Sequence, residues 1–430
     1  MKCKSRLFFL LYCLFTTIFA PLAVLFLCYK KRKDPPYGRR ACELLGHYSF
    51  SFRRCIWFHT VSMGEAIAAR PLIQAFVRRH PKLTVVVTTT TTTGAREINK
   101  IEGITHVFAP LDSPLAVYSF LQHFKPSHLF IMETELWPCA LNLSRYFGTK
   151  ICVFNARMPE KTCYKYCKHP TLVKDIIASR IFMVLCQTRK DAERFVRIGV
   201  DKERVKITGS LKYDLRPDEA LFRSSRRIRK QWPKERLILG AISTHENEED
   251  MILEVFYSLR EDYPHLQLVL VPRHQDGVTR AENFLQNVTG TYGLRTALQR
   301  DLSDFNQDVL IGNTMGEIEF YLGLCDLVFM GGSLVDVGGH NPLEPAYFSL
   351  PIITGPFYYN FQEQFDTLIE RGGAYVANDS RRLYSVCEMF LKDQELLSKT
   401  GIIAFDVQQE GRGSTIATLN YLEESLRAYP

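Results

Sequence analysis

The chain has 430 residues, of which 46% are hydrophobic and 23% are charged. This composition is typical of a globular protein with room for two domains, and it excludes a disordered chain. The formal net charge of +8 does not indicate nucleic-acid binding, because the first 40 residues hold nine Lys or Arg against one acid, while the rest of the chain is balanced at 45 of each sign.

The first predicted element is a membrane anchor. Residues 7–29 carry no charged side chain, and at 1.5 Å per residue they reach about 35 Å, enough to cross a hydrocarbon core of about 30 Å. Basic residues 30–33 follow where a signal peptide would have its small-residue cleavage site. The basic excess after the segment predicts a single-pass signal-anchor with the globular part in the cytoplasm. Pro21 leaves a shallow or re-entrant insertion open.

Short β-rich runs then alternate with helical stretches, which predicts parallel sheets covered by helices on both faces. In the first half the runs are residues 55–59, 83–89, 128–132, 151–155 and 183–186. In the second half they are residues 237–242, 266–271, 308–311, 327–330 and 352–354. The alternation pauses between residues 215 and 235, at two prolines and a basic cluster. The pattern predicts an N-terminal segment, 1–33, and two Rossmann-like domains, 34–215 and 216–430, with the last helix able to cross back.

Cysteine usage indicates a reducing compartment, because the twelve cysteines lack the paired spacing of a disulfide scaffold. The densest cluster joins Cys163 and Cys167 to His169, without a C-x-x-C pair. A zinc site would need a fourth ligand of matching geometry. We therefore predict no metal and no cofactor.

The most informative stretch is residues 330–346, MGGSLVDVGGHNPLEPA, which follows an apolar run of strand length. Glycines at Gly331 and Gly332 would let backbone N–H groups approach a phosphate, and Glu344 behind Asn341 could accept a ribose hydroxyl. Tight turns would explain the same glycines. Neither G-x-G-x-x-G after a strand nor a P-loop sequence occurs in the chain, which argues against nicotinamide enzymes and P-loop nucleotidases.

Nine motifs in order resemble those of the 3-deoxy-D-manno-octulosonic acid (Kdo) transferases. They are HTVSMGEAIAARPLI (59–73), TTTTTTGARE (88–97), METELWP (132–138), NARMPEKT (155–162), GSLKYD (209–214), STHENEE (243–249), VPRH (271–274), NTMGEIEFYL (313–322) and MGGSLVDVGGHNPLEPA (330–346). The chain departs from the family pattern at Asn247, where glycine is expected, at Cys139 in place of asparagine, and at Phe357 in place of histidine.

This resemblance implies a GT-B glycosyltransferase at the cell inner membrane, with two Rossmann-like domains facing a central cleft. The first domain would bind the acceptor, a lipid A precursor, and the second would bind the donor, CMP-Kdo. Inner-membrane lipids are the third expected partner, nucleic acid is not expected, and the oligomeric state stays open. The basic collar at residues 30–33 could bind an anionic leaflet, or it could serve topology alone.

Transfer to a sugar hydroxyl needs a base, and the resemblance assigns that role to Glu65. The residue types alone also allow Glu65 to serve only as a favourable charge at a helix N-terminus. In the second domain, Arg273 follows a strand and could pair with the phosphodiester or carboxylate of the donor. His274 could instead be a satisfied loop histidine.

The candidate residues form three sets. The catalytic candidate is Glu65. The donor-binding candidates are Arg273, His274, Met315, Gly316, Glu317, Gly331, Gly332, Asn341 and Glu344. The candidates for the cleft and the acceptor are Ser62, Gly64, Glu133, Glu135, Lys212, Ser243, Thr244, His245 and Glu246.

Two alternative functions stay open on the sequence. The first is a GT-B transferase or 2-epimerase that uses a UDP-linked sugar, since it would share the architecture and the ribose-binding glutamate. The second is a non-catalytic, membrane-tethered nucleotide-sugar-binding protein.

Overall fold

The computed structural model describes residues 2–30, 38, 40–233, 235–297 and 305–427. The chain divides into two compact units, residues 1–215 with 412–430, and residues 216–411. Each unit holds a seven-stranded parallel sheet. The predicted α/β class with two Rossmann-like sheets is confirmed.

The first unit opens with a long helix, α1 (Cys3–Lys30), and continues with alternating strands and helices. The strands are β1 (Cys55–His59), β2 (Val85–Thr89), β3 (Ile104–Phe108), β4 (Pro126–Met132), β5 (Lys150–Ala156), β6 (Met183–Cys186) and β7 (Val205–Ile207). The helices after α1 are α2 (Met63–Arg79), α3 (Thr92–Ile98), α4 (Pro114–Phe124), α5 (Pro138–Tyr146), α6 (Glu160–Cys167), α7 (Pro170–Ile176) and α8 (Arg189–Arg197). The strand order is β3-β2-β1-β4-β5-β6-β7.

The second unit repeats this plan. Its strands are β8 (Ile238–Thr244), β9 (Gln267–Pro272), β10 (Tyr292–Leu294), β11 (Val309–Ile311), β12 (Leu327–Met330), β13 (Ile352–Thr354) and β14 (Ala374–Val376). Its helices are α9 (Glu219–Arg229), α10 (Glu248–Asp262), α11 (Gln275–Leu285), α12 (Ile318–Leu324), α13 (Leu343–Tyr347), α14 (Gln362–Arg371), α15 (Ser380–Lys392) and α16 (Gln394–Glu410). The strand order is β10-β11-β9-β8-β12-β13-β14.

The last helix, α17 (Ser414–Arg427), belongs to the first unit. Leu419 and Leu422 pack beneath the sheet in the apolar layer that also holds Phe76 of α2. Asp214 receives backbone N–H groups from Gly413 and Thr415, and so fixes the start of the helix. The chain end therefore stabilises the same layer that supports α2.

Each sheet is buried on both faces because helices cover both of them. Neighbouring residues of a strand point to opposite faces, so they pack in different layers. In β1, Trp57 faces the layer formed by α4 and α5, whereas Ile56 and Phe58 face the layer of α2 and α17. Continuous apolar runs are what such a central strand requires, and this explains why β1 was predictable.

Candidate active site

In each sheet, the chain leaves two neighbouring central strands in opposite directions along the sheet. The connections after these strands therefore separate at their carboxyl ends. In the first unit these strands are β1 and β4, and in the second they are β8 and β12. Ligands of open α/β sheets bind at this switch point. Four of the predicted stretches lie at these strand ends: residues 62–65, 133–135, 243–246 and 331–332.

Glu65 lies in the first turn of α2, where it takes part in a capping arrangement. Ser62 is the N-cap, and its Oγ accepts the N–H of Glu65 at 3.2 Å. The Glu65 carboxylate in turn accepts the backbone N–H of Val61 at 3.0 Å and the Ser62 hydroxyl at 3.2 Å. This reciprocal pattern is a variant of the capping box in which the carboxylate accepts the N–H of the residue before the N-cap, so Glu65 also stabilises the start of α2.

The environment of Glu65 changes its acidity. The residue is only 9% exposed, and burial together with the nearby Glu133 carboxylate raises its pKa to about 8. The hydrogen bonds from Val61 and Ser62 oppose this shift. A carboxylate with such a pKa can take and release a proton near neutral pH.

Two further carboxylates lie on the loop after β4. Glu133 directly follows the strand with a left-handed backbone, φ 56°, and its charge acts on Glu65. Glu135 accepts the indole N–H of Trp137 at 2.9 Å, and burial raises the pKa of Glu135. The structure therefore brings together three of the predicted acidic residues: Glu65, Glu133 and Glu135.

Ser62 lies within this group as the N-cap, whereas Gly64 is exposed on the first turn of α2. Lys212 belongs to a short 3₁₀ segment, Leu211–Asp214, whose start is held where Asn155 Oδ1 accepts the N–H of Leu211 at 2.9 Å. Lys212 is partly buried and interacts with other residues of the protein.

Histidines gather at the corresponding edge of the second unit. His245 Nε2 lies 2.9 Å from His340 Nε2, and the two rings stack with centroids 5.2 Å apart. The ring of His274 meets His245 edge-on at 5.4 Å. Burial lowers the pKa of both stacked histidines, to about 4 for His340. The pair is therefore neutral at pH 7, and positive charge must come from other residues.

Arg273 supplies such a charge. Its backbone N–H donates to Thr244 O at 2.9 Å, which ties the end of β9 to the end of β8. Its charge acts on His245, His340 and Glu344. The guanidinium is thus a fixed cation at this edge, as an anionic ligand would require.

Glu344 belongs to the same group. Asn341 donates its side-chain amide to Glu344 Oε1 at 3.1 Å, while its Oδ1 accepts the N–H of Leu343 at 3.2 Å. Desolvation raises the pKa of Glu344 to about 7. Asn341 therefore orients a carboxyl that can accept or donate a hydrogen bond near neutral pH.

The glycine loop after β12 is held by a residue that the sequence reasoning did not select. The fully buried Glu248 carboxylate accepts backbone N–H groups from Gly332 at 2.6 Å, Ser333 at 2.9 Å and Leu334 at 2.8 Å. It also accepts the N–H of His245 at 2.9 Å. These loop amides, which the sequence reasoning directed at a phosphate, are occupied from within the protein.

The glycines keep the loop close to its neighbours. A Cβ on Gly331 would lie 2.5 Å from Ser243 O, and one on Gly332, where φ is 66°, would lie 3.1 Å from the ring of His340. Ser243 itself has φ 59°, and Glu246 is exposed just beyond. The need for glycine here is steric as well as conformational.

Met315, Gly316 and Glu317 form a separate turn before α12. Met315 is 84% exposed, and Gly316 has φ 77°. Glu317 accepts the hydroxyl of Thr314 at 2.6 Å and lies 3.6 Å from Arg295 Nε. These contacts fix the turn at the start of α12.

The backbone conformation at residue 247 explains one departure from the family pattern, the asparagine at Asn247. It has φ 72° and makes no side-chain cap hydrogen bond at the start of α10. Left-handed backbone favours glycine and tolerates asparagine best among the other residues. The expectation of glycine at this position therefore has a conformational cause.

The fold and the site together define a class, a glycosyltransferase-like chain of GT-B type. The crystal structure of UDP-GlcNAc 2-epimerase from Neisseria meningitidis aligns with a TM-score of 0.58 at 12% identity, covering 87% of this chain and all of that one. At this identity the similarity shows the fold alone. Among the described residues, no group of three His, Cys, Asp or Glu could hold a metal ion.

Sequence relatives define the family. The family described as 3-Deoxy-D-manno-octulosonic-acid transferase (kdotransferase) matches residues 37–215. The 3-deoxy-D-manno-octulosonic acid transferase of Haemophilus influenzae is 32% identical over 412 residues, covering 94% of this chain and 96% of that protein. The Bordetella pertussis transferase is 30% identical over 383 residues, covering 86% and 87%. The chain belongs to the Kdo transferase family, and the resemblance found in the sequence is confirmed.

Proposed function

We propose that this enzyme transfers Kdo from CMP-Kdo to a lipid A precursor of the lipid IVA type, in the lipopolysaccharide pathway. Family membership supports the Kdo group and its activated donor. The observation that carries the mechanism is the position of Glu65, a buried carboxyl at the switch point of the first sheet with a pKa of about 8.

In the proposed step, a hydroxyl of the acceptor attacks the anomeric carbon of Kdo. The new oxygen–carbon bond forms as the bond from that carbon to the CMP phosphate breaks, and CMP leaves with the electron pair. Glu65 takes the hydroxyl proton as positive charge develops on the sugar. A positioned base of this kind contributes about 10²- to 10⁴-fold in rate.

We assign donor binding to the second unit. Arg273 would pair with the phosphate or the carboxylate of CMP-Kdo, helped by His274, while Glu344, oriented by Asn341, would accept a ribose hydroxyl. The neutral His245–His340 pair would offer one N–H donor without adding charge. Gly331 and Gly332 would shape the loop beside this site, and the turn before α12 holds the remaining donor-binding candidates, Met315, Gly316 and Glu317.

We assign the acceptor to the first unit, beside Ser62, Gly64, Glu133 and Glu135. Glu133 raises the basicity of Glu65 through its charge, and Glu135 is oriented by Trp137. The remaining candidates for contact with the substrates are Lys212 in the first unit and Ser243, Thr244 and Glu246 in the second.

The enzyme is proposed to work at the cytoplasmic face of the inner membrane. Helix α1 supports an association with a membrane, because its length and apolar composition are those of a membrane-bound helix. Basic residues 30–33 follow it in the sequence.

Donor competition tests this assignment against a UDP-sugar enzyme. CMP should inhibit transfer and compete with labelled CMP-Kdo, whereas UDP should do neither at the same concentration. Inhibition by UDP alone would reassign the donor. Product formation distinguishes a transferase from a non-catalytic binding protein.

A further inference from the structure

Helix α1 packs against the first unit along nearly its whole length. Its packed stripe consists of Ser5, Phe9, Tyr12, Cys13, Ala20, Val24, Leu27 and Cys28. The spacing of these residues is that of one face of a helix, and from Ser5 to Leu27 it covers about 33 Å at 1.5 Å per residue. The helix axis therefore lies along the surface of the domain.

Three sets of contacts fix this position. At the N-terminal end, the backbone N–H of Lys2 donates to Asp175 Oδ2 at 2.8 Å. In the middle, the Tyr12 hydroxyl donates to Asp112 Oδ2 at 2.8 Å, and Asp112 also accepts the N–H groups of Cys139 and Ala140 at the start of α5.

The C-terminal half is held by apolar contacts. Val24 is 7% exposed and belongs to a cluster with Leu44, Ala95 and Phe108. Near the middle, Cys13 Sγ lies 3.8 Å from Cys139 Sγ. A helix that left the domain would expose this cluster to water and remove one of the three hydrogen-bond donors to Asp112.

The opposite face of α1 is apolar and uncovered. Eleven large apolar side chains on it are each 46% to 67% exposed: Leu7, Phe8, Leu10, Leu11, Leu14, Phe15, Ile18, Phe19, Leu22, Leu25 and Phe26. They expose about 1,000 Å² of apolar surface, well above the roughly 300–600 Å² of the largest patch on an ordinary soluble monomer. Exposed basic residues flank this face, namely Lys2, Lys4, Arg6 and Lys30.

We propose that α1 lies in the plane of an anionic bilayer, half embedded, and holds the first unit flat against the membrane rather than crossing it. The basic ends meet the headgroups, and the apolar face enters the acyl region. A spanning α1 that kept its contacts would draw the Asp112 carboxylate into hydrocarbon and carry Asp175 to the opposite headgroup layer, which is costly. The proposal replaces the single-pass anchor expected from the sequence.

An in-plane α1 also affects how the acceptor reaches the site, and this step rests on the proposed function. Cys13 contacts the first turn of α5, and the loop before α5 carries Glu133 and Glu135. An embedded α1 therefore places these acidic residues beside the membrane, where a lipid-linked hydroxyl could reach Glu65 without leaving the bilayer.

Depth measurements test the proposal independently of catalysis. Leu7, Leu14 and Leu25 lie within about 20° of one another around the helix, and the outer two are about 27 Å apart along it. A nitroxide amino acid, coupled through an encoded azide so that the native cysteines remain, is placed at each position in turn. The full chain is bound to vesicles of phosphatidylethanolamine and phosphatidylglycerol, and oxygen and nickel-chelate collision rates give the depth.

An in-plane helix predicts the same depth for all three labels, and the same label at exposed Ile416 of α17 should stay in water. A Leu14 label about 10 Å deeper than those at Leu7 and Leu25 would show a spanning helix and overturn the proposal.

Oxidation of the vesicle-bound protein gives a second test, with Cys13→Ser as the matched control. Docked α1 predicts a disulfide-linked peptide pair containing Cys13 and Cys139. A link that forms in detergent-solubilised protein but not in folded, vesicle-bound protein would show that α1 leaves the domain at the membrane, and would contradict the proposal even if transfer activity is normal.

Discussion

The carboxylate of Glu248 accepts the backbone N–H of Gly332 at 2.6 Å, and so joins the start of α10 to the glycine loop after β12. The same carboxylate holds Ser333, Leu334 and His245. The loop is therefore shaped before any ligand arrives, and a preorganised loop lowers the entropic cost of binding.

Replacing Glu248 should weaken donor binding. Glu248→Gln turns an amide N–H₂ toward backbone donors and leaves at least one of them without an acceptor, which should cost about 1–3 kcal/mol of stability. We expect CMP affinity, measured by calorimetry on folded protein, to fall at least tenfold. The exposed neighbour Asp250 provides the control, since Asp250→Asn should change neither quantity. Unchanged CMP affinity in Glu248→Gln would refute the organising role.

Glu65 can be tested as a base apart from its capping role. Glu65→Gln keeps the capping box, because glutamine also serves at that position, yet it cannot accept the proton. Transfer should fall by about 10²- to 10⁴-fold, whereas thermal stability and CMP binding should stay near the parent values. Glu65→Ala should lose transfer and also about 1 kcal/mol of stability.

If both Glu65 variants transfer Kdo at the parent rate, the residue is only a helix cap. The exposed Glu102→Gln serves as a matched charge control and should leave transfer unchanged.

The rate should depend on pH through the same carboxyl. Only the ionised form of Glu65 can accept a proton. The value of kcat/KM should therefore rise with pH up to and through the Glu65 pKa of about 8, and it should be lower at acidic pH. The Glu133 charge raises this pKa, and therefore Glu133→Gln should move the midpoint of the profile to lower pH. Identical midpoints for the two proteins would show that Glu133 does not act on the titrating group.

A backbone prediction concerns Asn247. Because this residue has φ 72° and its side chain makes no cap hydrogen bond, Asn247→Gly should raise the free energy of unfolding by roughly 0.5 kcal/mol. Asn283→Gly, at an exposed site inside α11, should instead lower it by about 0.5 kcal/mol. Denaturant unfolding of both variants measures the difference, and a loss of stability in Asn247→Gly would contradict the strain argument.

The sequence predicted the inner strands well because they are continuous apolar runs. Ten strands were placed, and each matches an observed strand within about two residues. The four that were missed are β3, β7, β10 and β14, which are the edges of the two sheets. Edge strands are covered on fewer sides, so they carry weaker apolar patterns. For example, all three residues of β10 are only partly buried.

The site was predictable where residue type and strand end coincide, as for Glu65 and Arg273. The partners of the glycine loop were not, because a sequence does not show that Glu248 is buried and pointed at β12 rather than exposed on α10. A run of acids, as in residues 246–250, usually indicates a solvated helix start. The lengthwise packing of α1 was also hidden, since apolarity alone does not tell a spanning helix from one lying on a surface.

The proposed transfer of Kdo is tested by mass spectrometry of the lipid after incubation of the detergent-solubilised protein with CMP-Kdo and a tetraacylated lipid A precursor. We expect mass increments of one or more Kdo units with the parent protein, and none with Glu65→Gln under the same conditions. The number of increments would count the sugars added. No increment from folded, CMP-binding parent protein would contradict the proposed reaction.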